Sequence, residues 1–593
     1  MSVHKTTGAE KILWDLSDLY GSKDDPGIDL DLDKADSLAA GFAESYRQKV
    51  SDLSPEDMLK VLTEYERILE LSHKVGTYAY LLWSTNAEDS ARGALLQKTT
   101  ERSSRLHQQL LFLHLEWSNT PEDRAKILME DPALEHYRHW LALLRRYRPH
   151  LLSEPEEKIL SEKSISGREA WTRFFGEVHG AARYDWEGER LPQQSILNKL
   201  YEPDRDIRRH AAGSFTAGLK GMERVNTFIF NCILSDKSSD DRLRRYPDWL
   251  SARNLDNQID EKTVKALIEA VTSRYDTVAR YYRLKRKLLE LDELYDYDRY
   301  APLPAADRRY SWQEARECVL AAYSRFHPEM GRIACEFFDR NWIDAAVLPG
   351  KRGGAYSHGA VPSVHPYIFL NFEGTSRDLM TLAHEMGHSV HQFLSRGQGI
   401  LLADTPLTTA ETASVFGEML VFQDLLSSEK DSRVRLSLLV RKIEDSFATV
   451  FRQIAMNRFE EAIHETRRSK GELAAEQFCE IWQETQNAMF QGSVVLTEEY
   501  SHWWGYIPHF IHAPGYVYAY AFGELMVLAL HRRYLEAGGD FPDRYLDMLA
   551  AGGSAWPHEL VRPLGVDLAD PDFWNKGLTL LEELVKQAED LTV

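Results

Sequence analysis

The chain has 593 residues and a formal net charge of −21, with 43% hydrophobic and 27% charged residues. That acidic balance argues against nucleic acid or an anionic membrane as the main partner, because both are bound through basic surfaces. The composition is that of a soluble globular protein with a sizeable core, and the length allows two large lobes as readily as several small domains.

Residues 1–21 carry Lys5, Glu10, Lys11, Asp15 and Asp18 and no apolar core of signal-peptide length. The most apolar long stretch, 516–530, contains Glu524 and is too short to span a bilayer. The four cysteines, Cys232, Cys318, Cys335 and Cys479, are far apart and form no Cys-x-x-Cys pair. Together these features point to a protein of the reducing cytoplasm, not exported and not membrane-bound.

Around Trp14-Asp15-Leu16-Ser17-Asp18-Leu19-Tyr20 the chain reads as a short docked segment, followed by a loop at 21–27. Residues 31–146 are helical throughout, with Leu62, Tyr65, Ile68, Leu69 and Leu71 marking one apolar face. Arg148-Pro149 ends this run, and Ser153-Glu154-Pro155-Glu156 is an N-cap with proline in the first turn. Residues 174–192 suggest a small hairpin. A boundary near 200 divides an N-terminal helical lobe, 1–200, from a second region, 201–593. Helices resume over 201–340, interrupted by Pro302 and Pro304. The glycine-rich stretch 348–356 contains Gly353 and Gly354 and leads into 364–372, the strongest strand signal in the chain. An exposed strand there would pair with an extended peptide by strand addition; the alternative is a structural hairpin beneath the next helix. From 375 onward the chain is helical apart from loops near 397–408, 490–514 and 551–572. The fold class is therefore mainly α, with one small β element.

The helix that follows, capped by Thr375 or Ser376, carries His384-Glu385-Met386-Gly387-His388. Helical spacing places His384 and His388 one turn apart on one face, where two imidazoles can bind one zinc ion. Glu385 between them is the residue type that acts as general base on a metal-activated water. Gly387 costs about 1 kcal/mol against alanine in mid-helix, and close approach of another backbone or of the metal site would explain it. His391 shares roughly this face but lacks the longer glycine turn of a three-histidine motif, so it is read as supporting or packing. A second helix begins near Thr408. It carries Glu411 and Glu418 seven apart on one face; one carboxylate can complete the ligand set, Glu411 being favoured, and the other can orient a ligating histidine. Finally, 508–523 holds His509, His512, Tyr516, Tyr518 and Tyr520. Their N–H and O–H groups are suitable donors to a developing oxyanion; His512, Tyr516 and Tyr520, spaced by four, form one stripe if the stretch is helical, whereas a helix start at Pro514-Gly515 leaves the histidines on a loop.

With these motifs together, the chain resembles the M3 metallopeptidases, specifically their oligoendopeptidase F branch. The resemblance rests on residues 14–20, 353–356, 366–372, 381–389, 411–414 and 508–523. It implies an almost wholly helical, two-lobed fold enclosing a deep channel, with 201–593 as the catalytic domain. It also implies one zinc ion and cleavage of short peptides at internal bonds. Carried over by position, His384, His388 and Glu411 are the ligands and Glu385 the base. His512, Tyr516 and Tyr520 are the favoured transition-state donors. His509, Tyr518, Glu418, Gly353 and Gly354 are left for supporting or substrate-binding roles. Two other readings compete: an exopeptidase such as a carboxypeptidase or dipeptidyl carboxypeptidase, and a peptide-binding protein that has lost catalysis.

Overall fold

A computed structural model of the chain describes residues 6–303 and 308–592; Pro304, one of the expected helix interruptions, lies outside them. The chain packs into two compact units, each built from separated segments. The first comprises Met1–Arg148, Asp307–Ser428 and Arg533–Asp567; the second comprises Pro149–Ala306, Glu429–Arg532 and Leu568–Val593. Residue 200, the boundary read from sequence, lies inside the second unit. No helix among the described residues is long and apolar enough to cross a membrane.

The first unit begins with the docked segment, whose Trp14, Leu19 and Tyr20 are buried against Tyr78, Tyr367 and Phe369. The expected loop at 21–27 is shorter than that, because Asp25 caps a helix that starts at Pro26. Three long helices follow, Pro26–Tyr46, Pro55–Ser84 and Ser90–Asn119. They close over Phe42, Leu62, Tyr65, Leu113 and Trp117, spaced at three and four within each helix as a buried face requires.

The same unit holds a three-stranded sheet. Tyr367–Phe369 is its central strand, parallel to Ile343–Asp344 and antiparallel to Tyr356–His358. The run 364–372 is therefore not an exposed strand. Its three strand residues are buried and paired on both sides, so it has no edge to offer a peptide. The reason lies in its composition: a continuous apolar run suits a strand covered on both faces, and an alternating pattern is absent. Tyr356–His358 forms one edge. The Lys351 side chain, 1% exposed, fastens the glycine-rich loop to this sheet. Its Nζ donates to Asp344 Oδ1 at 2.6 Å, to the Ala346 carbonyl at 2.7 Å and to the Leu370 carbonyl at 2.8 Å.

In the second unit, Ser153 caps Glu154–Ser164, and Glu156 returns a carboxylate to the Ser153 N–H at 2.9 Å. The expected hairpin at 174–192 is reduced to Tyr184–Trp186 against Glu189–Leu191, because Phe174, Phe175 and Gly176 belong to the helix Arg168–Ala181. Phe175 is buried in the aromatic core there. That core, with Phe230, Phe459, Phe478, Trp482 and Trp504, is enclosed by the helices Arg205–Leu243, Phe451–Lys470 and Ala475–Phe490.

Candidate active site

The histidine helix runs Ser376–Ser395. Thr375 is its cap: Thr375 Oγ1 accepts from the Asp378 N–H at 3.1 Å, and Asp378 Oδ2 accepts from the Thr375 N–H at 2.9 Å. Leu379, Leu382, Ala383, Met386 and Val390 are fully buried, which fixes the rotation of the helix about its axis. His384 and His388 consequently share the adjoining face.

The partner helix does not start smoothly at Thr408. A single turn, Leu407–Ala410, stops at Glu411, and the main helix then runs Thr412–Ser428. Glu411 sits at the break, held by Ser414, whose Oγ donates to Glu411 Oε2 at 2.7 Å. Two buried tyrosines set this helix against the histidine helix. Tyr545 donates to the Thr412 carbonyl at 2.8 Å, and Tyr323 donates to the Ala383 carbonyl at 2.6 Å. The backbones meet at Gly387, where a Cβ would lie 2.3 Å from the Ala413 carbonyl oxygen and 2.6 Å from Ser414 Cα.

This packing brings three donor groups to one point. Glu411 Oε2 lies 3.3 Å from His384 Nε2 and 3.4 Å from His388 Nε2. His384, His388 and Glu411 are grouped so that one ligand atom from each lies within 4.8 Å of the others. Two imidazole nitrogens and a carboxylate oxygen are the donors of an open catalytic metal site. Glu418 Oε2 lies 3.5 Å from His384 Nδ1, on the far side of the ring, where a carboxylate fixes the tautomer that leaves Nε2 free to ligate. Burial works against a charged His384, but contact with Glu411 and Glu418 outweighs it and raises the imidazole to about 10. Burial likewise opposes ionisation of Glu411, yet its contacts with His384 and His388 hold it far below the usual carboxylate range. Glu385 is 8% exposed, and burial pushes its carboxyl up, with the two histidines pulling the other way. An elevated, buried carboxylate beside the donor set is suited to accept and return a proton. Burial, then the neighbouring His388, lowers His391 to about 3, so it stays neutral within the core. Ser357 on the edge strand binds Ser389 and Gln392 of the histidine helix, each at 2.7 Å. Gly353 and Gly354 lie in the preceding loop with open space where a Cβ would project.

The histidine–tyrosine stretch belongs to the second unit. His509–His512 forms one helical turn, Gly515 has φ +77°, and the next helix is Tyr518–Ala537. His512, Tyr516 and Tyr520 therefore do not form one helical stripe. Instead His509, Tyr516 and Tyr520 gather together. His509 Nε2 lies 3.2 Å from the Tyr520 hydroxyl, and the Tyr516 ring packs 5.1 Å from that of Tyr520. His512 is exposed, with its ring 6.3 Å from Phe175 and its carbonyl accepting from Arg168. Tyr518 is fully buried; its hydroxyl donates to Asn254 at 2.8 Å and accepts from Asn257 at 2.9 Å. That makes it an anchor for the stretch, because its hydrogen-bonding capacity is taken up within the protein. Glu460, also buried, accepts from the Gly515 N–H at 2.9 Å. Neither Glu460 nor the two positioning tyrosines, Tyr323 and Tyr545, carries a local signal in sequence. A second trio, Glu223, Cys479 and His502, also gathers in this unit, where Glu223 pairs directly with His502 Nδ1 at 2.6 Å.

A mainly helical fold with a His-Glu-x-x-His helix and a glutamate from the following helix defines a metallopeptidase. The comparisons with known proteins narrow this. The profile of peptidase family M3 matches residues 199–580, and that of oligopeptidase F matches 116–184. The chain belongs to peptidase family M3 and is a metallo-endopeptidase. It is 29% identical to oligopeptidase PepF of Bacillus subtilis (strain 168), over 98% of this chain and 87% of that one. It is 27% identical to an oligoendopeptidase F homolog of Lactococcus lactis subsp. lactis (strain IL1403), over 100% and 99%. Among solved structures, one from Chlamydophila abortus matches with TM-score 0.89 at 24% identity, covering 99% of this chain and 100% of that one. The oligoendopeptidase-F of Enterococcus faecium matches with TM-score 0.70 at 23% identity, covering 94% and 98%. At those identities the two structures establish the fold.

Proposed function

We propose that the chain is a zinc-dependent endopeptidase of short oligopeptides, with His384, His388 and Glu411 as the zinc ligands and Glu385 as general base. The observation that carries this reading is the approach of both imidazole Nε2 atoms to one Glu411 oxygen, at 3.3 and 3.4 Å, beside a buried Glu385. The donor set suits zinc, which accepts nitrogen and carboxylate ligands and keeps a position open in catalytic sites. When bound, zinc supplies Lewis acidity, lowering the pKa of water towards about 7 and polarising a carbonyl. Glu385 then takes the proton of the attacking water and passes it to the departing amine, so no side-chain nucleophile is required. Glu418 keeps His384 in its ligating orientation. His509, Tyr516 and Tyr520 are proposed as the polar donors to the oxyanion. Their shared contacts support this better than those of His512, whose ring packs on Phe175. The relatives' names, oligopeptidase and oligoendopeptidase, support short peptides as substrates. Four unpaired cysteines support a cytoplasmic setting.

The test is Glu385→Gln, assayed with an internally quenched peptide blocked at both termini. The variant is expected to keep one zinc per chain and to lose turnover by roughly 10²–10⁴-fold. Undiminished cleavage by the zinc-loaded variant would overturn the role of Glu385. Failure of the wild type to cut the blocked peptide while cutting free peptides would overturn the endopeptidase assignment.

A further inference from the structure

The second unit contains a cavity of about 340 Å³, a size suited to a small ligand or one end of a peptide. Its lining is unusual in its charge. Arg299 and Arg452 line it, together with Tyr282, Tyr300 and a wall that includes Phe447 and Phe490. Arg299 is 5% exposed. Its guanidinium lies over the rings of Tyr300, Phe490 and Tyr500, 4.9–5.3 Å from their centroids. Those contacts satisfy the faces of the guanidinium and leave its in-plane donors to find acceptors. Nε donates to the Asp296 carbonyl at 2.9 Å, but the buried Nη2 has no hydrogen-bond partner. Arg452 is half-buried and donates to the Tyr506 hydroxyl at 3.3 Å. Among the described residues, neither arginine forms an ion pair with a carboxylate within 4.0 Å, although the Arg299 charge acts on the buried Asp296 carboxyl nearby. Glu444, which also lines the cavity, is already occupied: its Oε1 accepts from Tyr281 at 2.6 Å and from the buried Lys285 at 2.5 Å. The other charged lining residues, Arg441 and Asp445, are exposed.

Arg299 Nη2 is sealed from solvent, so the guanidinium that an anion in the cavity can reach is that of Arg452, with the Arg299 charge behind it. We infer that this cavity is a carboxylate site which receives the free C-terminus of a short peptide. The combination selects that group. A C-terminal residue presents a planar carboxylate that matches a guanidinium fork, and an apolar side chain on the same carbon that matches the aromatic wall. Arg452 at the cavity wall also bonds Tyr506, two residues before the histidine–tyrosine stretch. The identity of the ligand as substrate rests on the peptidase reading above; the anion site rests on Arg299, Arg452 and the cavity.

The test uses the full-length wild-type protein, titrated calorimetrically with a dipeptide whose amide bond is N-methylated against cleavage. The probe carries a C-terminal phenylalanine, as the free acid or as the amide, and inorganic phosphate is titrated separately. The free acid is expected to bind at least roughly tenfold more tightly than the amide. That preference should fall to about unity in Arg452→Gln and be kept in part by Arg452→Lys, which retains the charge without the fork. Thermal melts establish that each variant is folded. If Arg299→Gln fails to fold, the Arg452 pair decides alone. Equal binding of acid and amide by the wild type, or an undiminished preference in folded Arg452→Gln, overturns the inference. So does phosphate binding tighter than the free acid. Turnover of the doubly blocked peptide is measured in parallel. Selective acid binding without turnover would sink the hydrolase reading and leave the anion site standing, and turnover without selectivity would do the reverse.

Discussion

The contact at Gly387 joins stability to the proposed metal binding, and Gly387→Ala tests both. By helix propensity alone the change would stabilise a mid-helix position by about 1 kcal/mol. Here the added Cβ would stand 2.3 Å from the Ala413 oxygen, 2.6 Å from Ser414 Cα and 2.7 Å from the Ala413 carbonyl carbon. All three are backbone atoms, so no rotamer change relieves the overlap; the two helices must part by about 1 Å to restore ordinary contact. Overpacking of this kind costs typically about 1–3 kcal/mol, and rigid backbone on the receiving side places it in the upper part of that range. The expected net loss is therefore about 1–2 kcal/mol after the propensity gain is subtracted. The effect on the site is sharper. Ser414 holds Glu411 at 2.7 Å, so moving Ser414 moves the carboxylate away from His384 and His388. Ligand distances tolerate only about 0.2 Å, and a shift several times larger should weaken zinc binding at least roughly tenfold, or about 1.4 kcal/mol. The assays are urea denaturation and zinc competition against a chromogenic chelator. Gly93→Ala serves as control, since its Cβ would meet open space in the helix Ser90–Asn119, and it should be neutral or mildly stabilising. The reasoning is refuted if Gly387→Ala is as stable as the wild type and binds zinc equally well.

Two further predictions follow from the packing around the sites. Glu418→Gln removes the charge facing His384 Nδ1 and should cost roughly 10–100-fold in zinc affinity with little change in fold; unchanged affinity in the chelator competition would exclude the orienting role. Burial raises Glu460 to about 8, above an ordinary value of 4.5, with the Gly515 N–H pulling it down. A carboxyl with a raised folded pKa favours the folded state below its unfolded pKa, and that contribution is lost as pH rises through the folded value. The Glu460 contribution to wild-type stability should thus fall between about pH 4.5 and 8, by an amount of order a few kcal/mol. Glu460→Gln keeps an acceptor for Gly515 and should flatten that slope; an identical pH–stability profile in denaturant titrations would show that Glu460 ionises freely in the fold.

Much of the candidate metal site was legible in sequence because the determinants of its geometry are local. His384 and His388 are four residues apart, and a capped helix converts that interval directly into a shared face. The cap itself, Thr375 with Asp378, is likewise a matter of three residues. Glu411 and Glu418 could be placed on the next helix by the same periodicity. The break at Glu411 could not, and neither could the bond from Tyr545 to the Thr412 carbonyl, which comes from far along the chain. The strand 367–369 was readable as a strand but not as a central one, since pairing with Ile343–Asp344 and Tyr356–His358 is a property of the sheet.

The histidine–tyrosine stretch shows where periodicity misleads. A spacing of four suggests that His512, Tyr516 and Tyr520 act together, but positive φ at Gly515 breaks the helix between them and gathers His509 with Tyr516 and Tyr520 in its place. Tyr518, equal to its neighbours as a string of letters, is an internal anchor because Asn254 and Asn257 close on its hydroxyl. The sequence alone determined a mainly helical fold, the two imidazoles with their intervening carboxylate, and their helix cap. It did so because helix geometry ties residues a few positions apart to fixed relative directions. Only the tertiary structure decided that Gly387 is a backbone contact and that Glu418 faces the rear of His384. Tertiary packing likewise placed Arg299 in a cavity without an acceptor for its Nη2. Each of those facts joins residues tens to hundreds of positions apart, and no local preference encodes such a meeting.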